Sequence, residues 1–190
     1  MKSVLISTRP KWCEKICHEI GKEESGKPIY EKRIEVRKTA PKEVPFKAYI
    51  YKTKESKMRY LNNRFNSFLK NKSHYTDMGK VIGEFICDKV MFLTPLGLRG
   101  FEMREEILKL ICLTNDDLNA YGGLKTLYGW HISDLKIYDK PKELSKFKIS
   151  CNRKNLCYSC NRFTGKPWDI CNNTITRPPQ SWQFVEELEK

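Results

Sequence analysis

The chain has 190 residues, 39% hydrophobic and 31% charged, with 36 Lys+Arg against 23 Asp+Glu and a formal net charge of +13. That length suits one domain with a core large enough to need no disulfides, and that balance excludes a disordered chain. No apolar run approaches a membrane span, and Val4-Leu5-Ile6 gives way at once to Ser7-Thr8-Arg9-Pro10, too short for a secretory signal, so a cytoplasmic protein with no membrane partner is expected.

In chain order, Ser3 to Ser7 predicts a first strand. Pro10 stands at a helix-start position, and Trp12, Cys13, Ile16, Cys17 and Ile20 recur at helical spacing, so a helix over 10–20 closed by Gly21 is expected, followed by a loop over 22–28. Residues 29–38 alternate as a strand, with Ile34 and Val36 on one face and Arg33, Glu35 and Arg37 on the other. A Pro-bounded connection leads to a second alternation at Phe46 to Tyr51. Residues 52–80 read as a basic helical insertion, in which Met58, Leu61, Phe65 and Phe68 form one stripe and eight basic residues face two acidic ones. Residues 79–94 predict one central strand with apolar residues on both faces, interrupted by Glu84. Helical stretches over 102–121 include an N-cap at Thr114; strand pattern returns over 127–138, and Trp182 to Glu186 predicts the last strand.

The basic excess is one-sided: residues 1–80 hold 20 Lys+Arg against 9 Asp+Glu, and residues 81–190 hold 16 against 14. Such an asymmetry points to a polyanionic partner, because bound Lys and Arg release counterions from phosphates. Of the eight cysteines, Cys13, Cys17, Cys87 and Cys112 sit among apolar neighbours and read as small buried thiols. Cys151, Cys157, Cys160 and Cys171 cluster within a polar segment, 150–176, with a C-x5-C-x2-C-x10-C spacing that suits a closed, structural zinc site of the knuckle type.

Three segments together resemble the ASCH family: Leu5 to Ile16, with Ser7-Thr8-Arg9-Pro10-Lys11-Trp12 at its centre, a strand entering a helix; Glu31-Lys32-Arg33-Ile34-Glu35-Val36-Arg37-Lys38, similar to the family's Gly-x-Lys-Thr-x-Glu-x-Arg element; and Gly79-Lys80-Val81-Ile82-Gly83-Glu84-Phe85, similar to a later strand with a glycine-flanked acidic residue. The end of the chain, from Tyr128-Gly129-Trp130-His131 through the cysteine cluster to Arg177-Pro178-Pro179-Gln180-Ser181-Trp182, is similar to a subset of that family common in phages and mobile elements. The resemblance implies a single α+β domain over 1–190: a small PUA-like mixed β-barrel with flanking helices and a C-terminal zinc-knuckle-like segment. It also implies binding of nucleic acid, RNA above all, with a base or modified nucleotide in a barrel pocket.

The residues expected at that pocket are Arg9, Lys32, Glu35, Arg37, Glu84, Trp130 and Trp182. They supply cations for phosphate, carboxylates for exocyclic amines and aromatic faces for stacking. Arg9 also stands at a helix N-terminus, where free N–H groups favour an anion. Glu84, a carboxylate inside an apolar strand, calls for a charged partner, and Lys32 is the candidate. Some ASCH proteins are nucleoside amidohydrolases that use a lysine, a threonine and a glutamate. Lys32 and Glu84 match that pattern, and so would be the catalytic pair of a hydrolase or nuclease, but Glu35 stands at the threonine position and lacks the hydroxyl. A binder of a small signalling nucleotide is the third reading.

Overall fold

The computed structural model describes residues 1–54, 77–150 and 173–188. A five-stranded sheet is formed by β1 (Lys2–Thr8), β5 (Phe46–Lys52), β6 (Lys80–Cys87), β9 (Ser133–Glu143) and β10 (Trp182–Val185), in the spatial order β10-β1-β5-β6-β9. Its β1–β5 pair is parallel and its other pairs antiparallel. A three-stranded antiparallel sheet orders β4 (Ile34–Arg37), β8 (Leu127–His131) and β7 (Val90–Leu93) as β4-β8-β7. A small hairpin pairs β2 (Glu19–Lys22) with β3 (Pro28–Tyr30). Among the described residues the α-helices are α1 (Pro10–Cys17), α2 (Glu105–Ile111) and α3 (Asn115–Gly122). The architecture is mixed α+β, as expected, but among the described residues the strands form separate sheets and do not close into a barrel.

Three apolar layers hold these parts together. Between the two sheets, Val4, Ile6, Ala48, Ile50 and Phe85 pack against Trp130 and against Cys13 and Ile16 of α1. On the far face of the five-stranded sheet, Leu5, Tyr49, Tyr51 and Val81 pack under Phe147, Ile175 and Val185. On the outer face of the three-stranded sheet, Ile34, Val36, Leu93 and Leu127 pack against Phe101, Ile111 and Leu118, which seats α2 and α3. Burying apolar surface is the main favourable term, and alternation assigns each strand's odd and even residues to different layers. Leu5 and Tyr49 therefore belong to one layer, Val4, Ile6, Ala48 and Ile50 to another.

The expected helix at 10–20 ends earlier, at Cys17, and Ile20 and Gly21 enter β2. The span 22–28, read as a loop, holds the hairpin turn and its flanks. The strand expected over 79–94 is two strands in different sheets, broken at the charged pair Asp88-Lys89. Gly83 is required where β6 passes β9, since a Cβ there would stand 2.6 Å from the Lys136 carbonyl oxygen, beside a break in the ladder register. Thr114 caps α3 as expected and shares a full capping box with Asp117.

Both segments singled out by composition are joined to the described residues at paired stems. Gly79 N–H donates to the Lys52 carbonyl at 2.8 Å, closing the base of the basic insertion, most of which lies outside the described residues. Ile149 N–H donates to the Asn173 carbonyl at 2.8 Å and Ile175 N–H to the Phe147 carbonyl at 2.9 Å, closing the base of the cysteine segment. Cys151, Cys157, Cys160 and Cys171 lie outside the described residues.

Candidate nucleic-acid interface

Alternation along β4 sends Ile34 and Val36 outward to the helices and turns Glu35 and Arg37 into the layer between the sheets. The acidic and basic residues of this strand are thus as buried as its apolar ones: Glu35 and Arg37 are each 5% exposed, and Lys32, just before the strand, only 2%. Ions held this far from water need partners, because desolvation costs several kcal/mol per charge. They form a cation–anion–cation array, in which a Glu35 carboxylate oxygen lies 2.8 Å from Arg37 Nη2 and the other lies 3.4 Å from Lys32 Nζ.

The remaining contacts tie the array to four elements. Lys32 Nζ donates to the Ile111 carbonyl at 2.8 Å, at the C-terminus of α2 where carbonyls carry partial negative charge, and lies 5.2 Å from the centre of the Trp12 ring on α1. Arg37 donates to the Ser7 carbonyl at 3.0 Å, to the Ser181 carbonyl at 3.2 Å and to Thr8 Oγ1 at 3.0 Å. It thereby fastens β4 to the end of β1 and to the turn before β10. Three buried polar atoms here form no hydrogen bond: Glu35 Oε2, Arg37 Nε and Trp130 Nε1. Glu35 and Trp130 face each other directly across the β4–β8 ladder.

Arg9, Lys38 and Tyr121 stand at the exposed end of this array. Arg9 is exposed at the N-cap of α1. Lys38 Nζ lies 5.0 Å from the centre of the Tyr121 ring, which is 39% exposed at the end of α3. Burial pushes the Tyr121 phenol up, Arg37, the Lys38 amide and Arg9 pull it back, and Glu35 adds to the rise. Thr53 N–H donates to the Thr8 carbonyl, so the stem of the basic insertion starts beside the residue that Arg37 grips. Tyr121 and Thr8 were not identifiable from sequence as members of this group. Each gains its place from a long-range contact, and the helix period marks Tyr121 only as one more residue before Gly122.

Of the seven residues expected at the pocket, Lys32, Glu35 and Arg37 meet, and Arg9 lies near their exposed end. Glu84 does not join them. It faces Tyr49 across the β5–β6 ladder, on the side of the sheet opposite α1, accepts a hydrogen bond from Tyr138 Oη and lies 3.9 Å from Lys47 Nζ. Its expected pairing with Lys32 is thus replaced by Tyr138 and Lys47, because Glu84 belongs to the other layer. Burial, then the Glu84 contact, pushes the Tyr138 phenol above its ordinary range. Trp130, expected with Trp182 to offer a stacking face at the pocket, is fully buried, edge-on to Phe46 at 4.9 Å and to Trp182 at 5.8 Å. Trp182 is half-buried, and its Nε1 donates to Thr39 Oγ1 at 2.9 Å.

Cys13, Cys17, Cys87 and Cys112 are free thiols. Burial pushes Cys13 well above its ordinary value, Cys17 to about 11 and Cys87 to about 12, so none of these three is a ready thiolate at neutral pH. His131 Nδ1 meets Asp88 at 2.6 Å.

No protein-family profile matches the sequence, and no curated protein matches it. Solved structures do. The crystal structure of the ASCH protein from Zymomonas mobilis aligns over 98% of this chain and 89% of its own, with a TM-score of 0.51 at 14% identity. The fold is ASCH-like. Two variants of the same bacterial protein, one Tyr-to-Phe and one Ser-to-Ala, align over 98% of this chain, each with a TM-score of 0.46 and 15% identity. Among the described residues of the ASCH-like chain, no helix is long and apolar enough to cross a membrane, and no group of three or more His, Cys, Asp or Glu is placed to hold a metal.

Proposed function

We propose that this ASCH-like chain is a nucleic-acid-binding module, for RNA above all, that seats a base or modified nucleotide at the exposed end of the Lys32–Glu35–Arg37 array. The observation that carries this reading is the array itself: two cations and one carboxylate almost wholly removed from water, with Arg9, Lys38 and Tyr121 at the surface beside them. Fixed charges in a low-dielectric setting act on a ligand without reorganising, and a net positive array favours a phosphate-bearing one. Arg9 and Lys38 would meet phosphate, and Glu35 would accept from a base amine. The basic insertion, whose stem starts next to Thr8, would extend the contact along the backbone. The test is titration of an RNA oligonucleotide at several salt concentrations. Affinity that falls steeply with salt supports the reading; a shallow dependence, with binding of free nucleotides alone, would indicate a small-nucleotide binder instead.

We also propose one structural zinc held by Cys151, Cys157, Cys160 and Cys171. Four thiolates suit a closed tetrahedral site, and the paired stems on either side of residues 151–172 bring the ends of that segment together. Four thiolates leave no open position on the metal, so its contribution would be to folding. Elemental analysis of protein purified without chelator should give about one zinc per chain; a metal-free, fully folded protein would refute the proposal.

A further inference from the structure

The three-stranded sheet carries an aromatic row that the array does not account for. Across its ladders Arg37 of β4 faces Tyr128 of β8, and Tyr128 faces Phe92 of β7. Directly opposed residues in antiparallel strands project to the same face, so the three side chains form one line from the buried guanidinium to the sheet edge. Burial fades along that line. Arg37 is 5% exposed, Tyr128 is half-buried and Phe92 is 70% exposed. The rings of Phe92 and Tyr128 lie 5.5 Å apart at 60°, so Phe92 is held beside its neighbour with much of its surface in water. A large aromatic left open at a sheet edge, continuous with a cationic site, has the form of a stacking platform.

We propose that Phe92 and Tyr128 stack the bases of single-stranded RNA next to the nucleotide seated at Lys32, Glu35 and Arg37. This rests on the nucleic-acid reading given above and adds to it the strandedness of the ligand and the place of its neighbouring bases. Charge complementarity selects this occupant: the row starts at Arg37, with Lys38 following it in the chain and Arg9 beside Tyr121, in a chain of net charge +13. A duplex hides its base faces in the stack and offers nothing to an exposed ring, whereas a single strand splays them out.

The full chain is titrated with a mixed-sequence RNA 12-mer, and with the same strand annealed to its complement. Phe92→Ala should weaken single-strand binding roughly 5- to 100-fold, as loss of one base–aromatic stack does, with duplex affinity unchanged; Phe92→Trp should restore single-strand affinity. Phe92 is open to solvent, so neither change should move the melting temperature. If the unaltered protein binds the single strand and Phe92→Ala binds it equally well, or if the duplex binds as tightly as the single strand, the platform is refuted and the nucleic-acid reading stands. If the unaltered protein binds neither form even at low salt, the nucleic-acid reading itself fails.

Discussion

Glu35 lies between two cations in a layer that water hardly reaches, and what it contributes there is its charge. Removing it strands Lys32 and Arg37 without a counter-ion, so Glu35→Ala should cost about 3–5 kcal/mol of stability. Lys32→Met removes one cation but leaves Glu35 paired with Arg37, and the methionine retains packing against Trp12; a smaller loss, about 1–3 kcal/mol, is expected. Urea midpoints of the two variants check this ranking, and equal losses would show that Glu35 is not the hub. The alternation of Glu35 and Arg37 with Ile34 and Val36 was readable from sequence, but the burial of both faces was not. Period-2 patterning separates two faces and cannot say that a second sheet covers the polar one. Glu84 shows the same gap: its need for a partner followed from its apolar neighbours, while the identity of that partner depended on which face of β6 it occupies.

At the level of elements, α3 shows how a local signal serves the candidate site. Its capping box, Thr114 with Asp117, fixes where the helix begins and hence where Tyr121 emerges beside Lys38. The Thr114 amide and hydroxyl both donate to Asp117 and hold its carboxyl below the usual range. A carboxyl with a depressed folded-state pKa stabilises the fold above its unfolded pKa, and that contribution is lost as pH falls through the folded value. The box should therefore weaken below about pH 4, and Asp117→Ala should flatten this part of the acid limb of stability against pH. Thr114→Ala should cost about 1 kcal/mol at neutral pH. Chemical denaturation of both variants across pH 2–7 checks the sign. Thr114 was recognisable as a cap from sequence alone, as were β5 and β10, because caps and short alternations are local. The division of residues 79–94 between two sheets was not, since Asp88-Lys89 ends one strand and starts another only through pairing with β9 and β8. The cysteine segment calls for the same comparison of local and long-range roles. If the proposed zinc is held there, Cys157→Ser should lower the melting temperature and release it, while Cys112→Ser, which removes a half-buried thiol, should do neither.

Over the whole molecule, charge and fold would divide the work of the proposed binding unevenly. Among the described residues the candidate site offers few exposed cations, Arg9 and Lys38 foremost, because Lys32 and Arg37 are already committed to Glu35 and to backbone carbonyls. In the proposed complex, long-range attraction would come largely from elsewhere, and the basic insertion, with eight Lys+Arg against two Asp+Glu over residues 52–80, offers a local excess. Its stem at Lys52 and Gly79 lies at the same end of the five-stranded sheet as Thr8, so in the proposed complex a polyanion engaged at that stem would also pass the array. Counterion release makes each phosphate contact contribute to the dependence of affinity on salt, with a slope of about −0.7 per contact for single strands. Replacing Lys54, Lys57, Arg59 and Arg64 together by Ala should therefore flatten the log–log slope by up to about 3 and weaken binding to unrelated RNA sequences alike. Replacing Arg9 and Lys38 should instead lower affinity with a change in slope of no more than about 1.5. Titrations of the three proteins across 50–300 mM salt separate the two contributions. Identical slopes in the unaltered and insertion-neutralised proteins would show that residues 52–80 play no part in the contact.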